Sequence, residues 1–492
     1  MKKICKNSFR AVHGACVTVV LASAVTSAQA APDTQGCSIV LSPGAELSKT
    51  AWPAAGGTIC LLPGDYAAGL YVEGRKGKPI VIRGADTDPN NWPNLTSGVT
   101  FRNSDDITLQ RVNVSNAGNF GAVVVDKGSS NITLDSIRAK NSLNGVVFGS
   151  GLGPAGINNI IKNSEVGTAI DYVGIAVVNG SGNGLQPTAA MPFATQILNN
   201  IVSGNGGHGI DVDRSRFVKI EGNKVATNGY APFTLTGEPP GGYSGIHLYD
   251  KENYLKPEDR RCGDHQVRFN YVWDTRTVPK GTDGNGIQID NFCDYNVVAF
   301  NVVWNNEGAG IAIYNAAHNQ VYSNTVAFNT RQKTRVQDFD PKTNGIGEIV
   351  LSACVVAATC AEGRSQAGRT HDNRVFDNLM WSNVEGNPAL NLHETAATQN
   401  NILGPNLHWV DGQWPVAIVG NIVVDKSTAL TSEDLVEQPI VKNPSSPLNN
   451  GLQLTQKPSK NGQDLSVHSG ITDLLGQQAG MGYSYFGAYF TK

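Results

Sequence analysis

The chain has 492 residues, of which 55 are glycine, and its 38 basic residues nearly balance 41 acidic ones. The near-neutral charge and the lack of a polybasic tract argue against nucleic-acid binding. A hydrophobic content of 40 %, dispersed in short runs, excludes a disordered chain.

Residues 1–30 have the pattern of a secretory signal peptide. Basic residues up to Arg10 precede an apolar stretch around Val17 to Val25, and Ala28-Gln29-Ala30 is typical of a cleavage site. No later segment has the roughly 18 apolar residues that a membrane span needs. We therefore expect a secreted or periplasmic protein without a membrane span. Removal of four basic residues changes the formal charge from −3 to −7.

The cysteines agree with export. Six remain after cleavage, and an even number in an oxidising compartment predicts disulfides. Fifteen connectivities are open, and nearest-neighbour pairing is our prediction: Cys37 with Cys60, Cys262 with Cys293, and Cys354 with Cys360. We expect at least two of these pairs to form.

Two short patterns repeat through the chain. A glycine followed by alternating apolar residues begins at Gly121, Gly145, Gly174, Gly209, Gly245, Gly286 and Gly310, with weaker copies at Ile349 and Leu390. The two shortest spacings are 24 residues. Between these runs, asparagine precedes apolar residues at Asn200, Asn223, Asn270, Asn301, Asn324 and Asn378. Strands stacked about 4.8 Å apart would join such asparagines in a hydrogen-bonded ladder, which predicts a solenoid of β coils.

This repeat resembles the right-handed parallel β-helix proteins, a group that includes pectate and alginate lyases, alginate C5-epimerases, polygalacturonases and phage tailspikes. The segments 57–66 and 78–83 resemble the usual start of such a helix, and 487–489 resembles a frequent end of secreted members. The resemblance implies an all-β chain whose helix runs from about residue 50 to 400. We expect a signal peptide (1–30), an N-terminal cap with first coils (31–100), a central helix with the groove (101–400), and C-terminal coils with a cap (401–492).

No single family of that group is matched by motif. Gly207-His208-Gly209 resembles one polygalacturonase element, but the paired aspartates and the Arg-x-Lys element of that family are absent. The Asp-Pro-His-Asp pattern of alginate epimerases is absent as well.

Candidate functional residues follow from the strand alternation, because residues between the buried apolar ones must face outward. One outward column reads Ala176, Asp211, His247, Gln288, Ala312, Val350 and Asn391; the other reads Val178, Asp213, Tyr249, Asp290, Tyr314, Ser352 and His393. Strand spacing places His247 between Asp211 and Gln288, each about 4.8 Å away. Such a carboxylate orients an imidazole and raises its pKa toward that of a general base. The alternative is a solvated polar face without chemistry.

Loop lengths point to the same coils. Extra residues lie in 229–243, 250–265, 274–285 and 331–345, which predicts walls around a groove. The segments 251–280 and 331–342 each carry a net charge of +2 on an otherwise acidic chain. A groove of this sign favours carboxylated sugars, because arginine binds a carboxylate in a bidentate fork. Solvated loop charge is the alternative.

The first functional hypothesis is a lyase or C5-epimerase acting on an acidic, uronate-containing polysaccharide. Both reactions remove the C5 proton and need a base, a proton donor and a cation for the neighbouring carboxylate. His247 would be the base, oriented by Asp211, and Tyr249 or Tyr314 the donor. The predicted substrate-binding residues are Lys251, Arg260, Arg261, Arg276, Gln288, Asp290 and His393. Resemblance to pectate lyases also allows Ca²⁺ at Asp213 and Asp290, and we expect no other cofactor.

Two alternatives remain open. Asp213 and Asp290 are two coils apart, about 9.6 Å between backbones, near the separation of an inverting glycoside hydrolase pair. A non-catalytic carbohydrate-binding solenoid is the other alternative, since the fold alone implies no activity. We expect a monomer in each case.

Overall fold

The computed structural model describes residues 32–47, 52–116, 120–230, 243–250, 256, 259–277, 283–331, 347–352, 369–384, 387–392, 400–411, 422–424, 435–436, 438–439, 441–443, 452–456, 458, 473–475, 477 and 486–489. Besides a short 3-10 helix at Pro89–Asn91, these residues form 36 strands. The strands are β1 (Ile39–Leu41), β2 (Gly57–Leu61), β3 (Asp65–Tyr66), β4 (Leu70–Glu73), β5 (Ile80–Gly84), β6 (Asn94–Leu95), β7 (Val99–Arg102), β8 (Asp105–Ser115), β9 (Val123–Asp126), β10 (Ser130–Lys140), β11 (Val146–Phe148), β12 (Asn159–Lys162), β13 (Glu165–Ile170), β14 (Ile175–Val177), β15 (Thr195–Leu198), β16 (Ile201–Asn205), β17 (Ile210–Asp213), β18 (Val218–Glu221), β19 (Lys224–Ala226), β20 (Ile246–Tyr249), β21 (Gln266–Arg268), β22 (Tyr271–Trp273), β23 (Ile287–Asp290), β24 (Val297–Ala299), β25 (Val302–Trp304), β26 (Ile311–Tyr314), β27 (Gln320–Tyr322), β28 (Thr325–Ala327), β29 (Ile349–Ser352), β30 (Arg374–Phe376), β31 (Leu379–Ser382), β32 (Leu390–Leu392), β33 (Ile402–Leu403), β34 (Leu407–Val410), β35 (Ile422–Val424) and β36 (Leu435–Val436).

The strands stack into three faces. Face one consists of β1, β2, β5, β8, β10, β12, β15, β18, β21, β24, β27, β30 and β33; face two of β3, β6, β8, β10, β13, β16, β19, β22, β25, β28, β31, β34 and β36; and face three of β4, β7, β9, β11, β14, β17, β20, β23, β26, β29, β32 and β35. The long strands β8 and β10 cross from face one to face two, turning at Arg111 and Ser136 with φ of 55° and 56°. The strands pair in parallel, except for the antiparallel pair β32–β35. The predicted parallel β-helix is confirmed.

The recurrent glycines have a steric cause. The apolar residues that follow them, such as Ile210 and Val212, point inward and are fully buried. A Cβ atom added to Gly209 would lie 2.6 Å from the carbonyl oxygen of Gly245, and one on Gly245 would lie 2.7 Å from that of Gly286. Real Cβ atoms do not approach backbone this closely, so the coil spacing requires glycine there.

Ladders of polar side chains fill the corners. Between faces one and two, the six predicted asparagines donate Nδ2 to the next Oδ1 at 2.9–3.1 Å, and the series continues to Asn406. This confirms the predicted ladder. A second ladder, at the corner between faces two and three, contains Asn306, Asn329 and Glu348. A third, between faces three and one, contains Asn296, Asn319, Asn373 and Asn401.

Long-range links reinforce the coils. The disulfides Cys37–Cys60 and Cys262–Cys293 form as predicted, whereas Cys354 and Cys360 lie outside the described residues, as does the predicted signal peptide. Residues 486–489 cover an apolar cluster on the outside of face two that includes Trp304 and Trp381. The described part of the chain holds no helix long and apolar enough to cross a membrane.

Candidate active site

The polar cluster predicted on face three is formed by β17, β20, β23 and β26. Asp211 pairs with His247 and His247 with Gln288 in the strand register, while Asp213, Tyr249, Asp290 and Tyr314 align in the neighbouring column. The predicted register is therefore confirmed. Because the alternate residues of each strand fill the core, these side chains must point outward.

His247 lies between two carboxylates. Its Nδ1 is 2.9 Å from Oδ1 of Asp211, and its Nε2 is 3.4 Å from Oδ2 of Asp290. Burial by itself lowers the pKa of His247, but the hydrogen bonds and charges of the two aspartates outweigh it and raise this pKa to about 10. His247 is therefore an imidazolium at neutral pH. The general-base role expected of it requires the neutral ring, so the observed environment fits a cation or proton donor instead.

A second histidine stacks on the first. The ring of His208 lies 4.4 Å from that of His247 with an interplanar angle of 2°. Its Nδ1 accepts a hydrogen bond from the backbone N–H of Ser244 at 2.9 Å, and burial lowers its pKa to about 3. Tyr243 meets His208 edge-on at 5.3 Å. Neither residue belongs to the outward columns, so the strand alternation alone could not find them.

Asp283 is a further member that the columns missed, because it lies in the turn before β23. Burial and the charge of Asp290 raise its pKa to about 6. Gln288 donates Nε2 to Oδ2 of Asp290 at 3.2 Å and accepts from Ser244 Oγ at 2.6 Å. Oδ1 of Asp290 is buried and has no hydrogen-bond partner among the described residues. A carboxyl group with a pKa near 6 is able to exchange a proton with a substrate near neutral pH.

The tyrosines complete the cluster. Tyr249 stacks on His247 at 5.4 Å between ring centroids. Burial and the negative charge of Asp290 raise the pKa of Tyr314, which keeps its phenol protonated. Both side chains are partly exposed and can donate a proton to a bound molecule.

The basic residues predicted to bind substrate have different surroundings. Arg260 pairs with Asp264 at 2.6 Å and lies over the ring of Tyr295, and Arg276 lies over the ring of Tyr230, so both have partners outside the cluster. Each arginine also has a carboxylate partner in its own coil, Asp264 for Arg260 and Asp274 for Arg276, which a count of charges cannot reveal. Arg261 pairs with Asp250, directly after β20, at 3.0 Å. Lys251 and His393 lie outside the described residues, as do most of the loops predicted to wall the groove.

The carboxylates predicted to bind calcium are engaged elsewhere. Asp213 accepts three hydrogen bonds from Arg214 at 2.7–3.0 Å, while Asp290 faces His247 and Gln288. Ca²⁺ requires six to eight oxygen ligands. This arrangement does not fit a shared calcium site, and calcium dependence stays a prediction for chelation to test.

The cluster is bounded along the helix axis. The outward residues Ala176 on one side and Val350 on the other are only 5 % and 2 % exposed, and His247 itself is 9 % exposed. A fully solvated sheet face would leave these side chains open. The polar residues therefore lie in a recess.

Family membership follows from the repeats. Residues 97–256 and 189–380 match the family model described as right handed beta helix region, which together covers more than half of the chain. The protein thus belongs to the class of parallel β-helix proteins. More particularly, it is a member of this right-handed β-helix family. No curated protein sequence matches the chain.

Solved structures share the architecture at low identity. The A-module of the Azotobacter vinelandii mannuronan C-5 epimerase AlgE6 is 15 % identical, with a TM-score of 0.46 over 78 % of this chain and 91 % of the module. The PL6 family alginate lyase AlyGC is 12 % identical, with a TM-score of 0.43 over 83 % of this chain and 60 % of its own. Pectate lyase Pel9A is 12 % identical, with a TM-score of 0.38 over 86 % of each chain. Likeness at this level describes the fold, so the chemistry must be argued from the residues.

Proposed function

We propose that this protein is an exported enzyme that removes the C5 proton of a uronate residue in an acidic polysaccharide, by β-elimination or by epimerisation. One observation carries the proposal: in the recess of face three, the ring nitrogens of His247 lie 2.9 Å from Asp211 and 3.4 Å from Asp290, and these two carboxylates raise its pKa and favour the cation. A positive charge beside the substrate carboxylate stabilises the carbanion-like state that both reactions share.

The remaining groups have complementary roles. The 3.4 Å contact from His247 to Asp290 is the longer of its two, so a substrate carboxylate can replace it. Oδ2 of Asp290, released from His247, then becomes the base, and Asp283, whose pKa lies near 6, is the neighbouring acid. Tyr249 or Tyr314 donates a proton to the leaving oxygen or to the opposite face of the sugar.

The proposed compartment is outside the cytoplasm. Two disulfides form between neighbouring coils, and disulfides persist in oxidising compartments. Together with the predicted signal peptide at residues 1–30, they support export. The monomer, the cap, the central helix and the C-terminal coils remain as proposed from the sequence.

A glycoside hydrolase is the second candidate, and Asp283 favours it. A carboxyl group with a raised pKa beside an ionised carboxylate is the arrangement by which hydrolases protonate a glycosidic oxygen. The pair would be Asp283 and Asp290, because Asp213 is occupied by Arg214.

A product assay separates these functions. The mature protein is incubated with acidic and neutral polysaccharides, with Ca²⁺ or with chelator, in deuterated water. Ultraviolet absorbance of an unsaturated uronate identifies a lyase, and C5 deuteration without cleavage identifies an epimerase. New reducing ends without absorbance identify a hydrolase and refute the proton-abstraction proposal. Binding without any reaction refutes both enzymes and leaves the carbohydrate-binding solenoid. His247→Gln is the matched inactive control.

A further inference from the structure

A second group of titratable side chains lies at the corner between faces three and one. Tyr295, His318 and Asp372 each precede an asparagine of the third ladder and have φ of 62°, 59° and 53°. The stacking that aligns the ladder therefore also aligns these residues. One donor atom from each of His318, His371 and Asp372 lies within 4.8 Å of the other two.

The hydrogen bonds determine which nitrogen of His371 is open. Its Nδ1 is 2.7 Å from Oδ2 of Asp372, and a carboxylate accepts, so Nδ1 carries the proton and Nε2 keeps its lone pair. Histidines that bind metals are commonly oriented by a carboxylate in this manner. His318 has no hydrogen-bond partner for its ring nitrogens among the described residues. Its ring is positioned by stacking on Tyr295 at 4.6 Å and meets His371 at 90°.

We propose that His318 and His371 bind a divalent ion of the zinc and copper class, with Asp372 orienting His371. Imidazole nitrogen is the ligand that Zn²⁺ and Cu²⁺ prefer, whereas Ca²⁺ and Mg²⁺ prefer oxygen. The side chains of His371 and Asp372 are 30 % and 40 % exposed, so an ion can enter and water can complete its coordination.

The guanidinium of Arg369 lies beside the nitrogen of His371 that would bind the ion. Nη1 of Arg369 is 3.4 Å from Nε2 of His371, whereas Nη2 of Arg369 is tied to Asp294 by a buried ion pair. Metal binding by Nε2 of His371 therefore requires Nη1 to move away, while the ion pair of Nη2 with Asp294 holds the rest of the side chain.

Two other groups of histidine, aspartate and cysteine side chains have no ligand atom available for a metal ion. His208 accepts the Ser244 N–H at Nδ1, which leaves the proton on Nε2, and both nitrogens of His247 face carboxylates. The sulfurs near His265 form the Cys262–Cys293 disulfide and offer no thiolate. Among the described residues, these contrasts single out the corner cluster.

Binding would join two coils. His318 precedes β27 and His371 precedes β30, and these strands pair although their ladder asparagines are 54 residues apart in sequence. An ion held by both histidines ties the long connection back to the preceding coil. It should therefore raise the thermal midpoint, because a ligand bound only by the folded state stabilises it.

The test uses mature protein purified without a polyhistidine tag. Titration calorimetry with Zn²⁺ should show one site, and Cu²⁺ should give an electron paramagnetic resonance spectrum with two coordinated nitrogens. His318→Gln and His371→Gln should each abolish tight binding, and Asp372→Asn should weaken it about 10- to 100-fold. Tyr295→Phe, which keeps the stacked ring, is the matched control and should bind normally.

The proposal is overturned if the unsubstituted protein binds neither ion, or if both histidine variants bind as it does. Thermal midpoints without metal show whether each variant is folded; Asp372→Asn is the milder change if a histidine variant is not. This site does not depend on the proposed enzymatic function, and none of its readouts is turnover.

Discussion

The ladder between faces one and two and the cluster on face three use the same stacking to different ends. In the ladder, identical neutral amides meet at 2.9–3.1 Å, and those of Asn223, Asn270 and Asn301 are fully buried. In the cluster, unlike ionisable groups meet in a partly open recess, and the pKa values of His247 and Asp283 move to about 10 and about 6. In a stack of identical amides, each side chain finds a hydrogen-bond partner without any charge. In a stack of unlike ionisable groups, each charge shifts the pKa values of its neighbours.

Glu348 is an intermediate case. It stands in the second ladder, where Asn329 donates Nδ2 to it at 2.6 Å and Asn387 at 3.1 Å. Burial raises its pKa to about 8 despite these donors. This ladder therefore contains one carboxyl group, Glu348, that titrates near neutral pH.

The largest expected effect is on the cluster. His247→Ala should lower turnover by about 10²- to 10⁴-fold and weaken polymer binding by less, because the cation contacts the substrate carboxylate in the bound state but acts mainly on the transition state. The proposed role also predicts activity that persists as pH rises and is lost as His247 deprotonates near its pKa of about 10. Steady-state kinetics across pH and polymer co-sedimentation measure both. Wild-type turnover in this variant would place the chemistry elsewhere.

The next largest effect is on the ladder. Asn301→Ala leaves the backbone N–H and Nδ2 of Asn270 without their acceptor, so it should lower the free energy of unfolding by about 2–3 kcal/mol. Urea denaturation measures this change. Asn94→Ala is the control, because its bond to Asp65 is exposed and its bond from Asn113 is only partly buried, so it should cost less. Equal losses in the two variants would contradict the distinction between buried and exposed amides.

A smaller effect concerns the proton on His247. Asp211→Asn removes the nearer carboxylate and should lower the pKa of His247 by roughly one pH unit or more, with a smaller loss of turnover than His247→Ala. Nitrogen NMR of the imidazole follows this titration. Asp213→Asn should change it less, because Asp213 is paired with Arg214. An unchanged pKa of His247 in Asp211→Asn would show that Asp290 alone stabilises the protonated imidazole.

The last effect is a pH dependence of stability, and it is expected at Glu348. Its folded pKa of about 8 exceeds the ordinary value of 4.5, so the folded state binds the proton more tightly and stability should fall as pH rises between these values. Glu348→Gln keeps the shape and removes this slope. Unfolding midpoints from acidic to mildly alkaline pH measure it, and identical slopes in both proteins would count against a buried titration.

The sequence predicted what strict stacking determines. The glycine and asparagine periods located the coils, and the in-register strands then placed His247 beside Asp211 and Gln288. The strand alternation does not predict where side chains outside the strands point. Asp283 and His208, which precede β23 and β17, were therefore not predicted as members of the cluster. The second ladder also escaped, because Asn306 and Asn329 precede polar residues. The partners of Arg260 and Arg276 were not predicted, because net charge does not identify ion-pair partners.

The segment 486–489 bears on the order in which the chain can fold. Each coil can form by pairing with the coil before it. In contrast, the backbone N–H of Ala488 donates to Oγ1 of Thr325, 163 residues earlier, and the N–H of Gly487 donates to the carbonyl oxygen of Asp377. Contacts this distant in sequence form late, since a long loop must close first. Until then, Trp304 and Trp381 remain uncovered on nascent β25 and β31. The outside of face two is therefore an apolar surface open to aggregation while the chain is being synthesised.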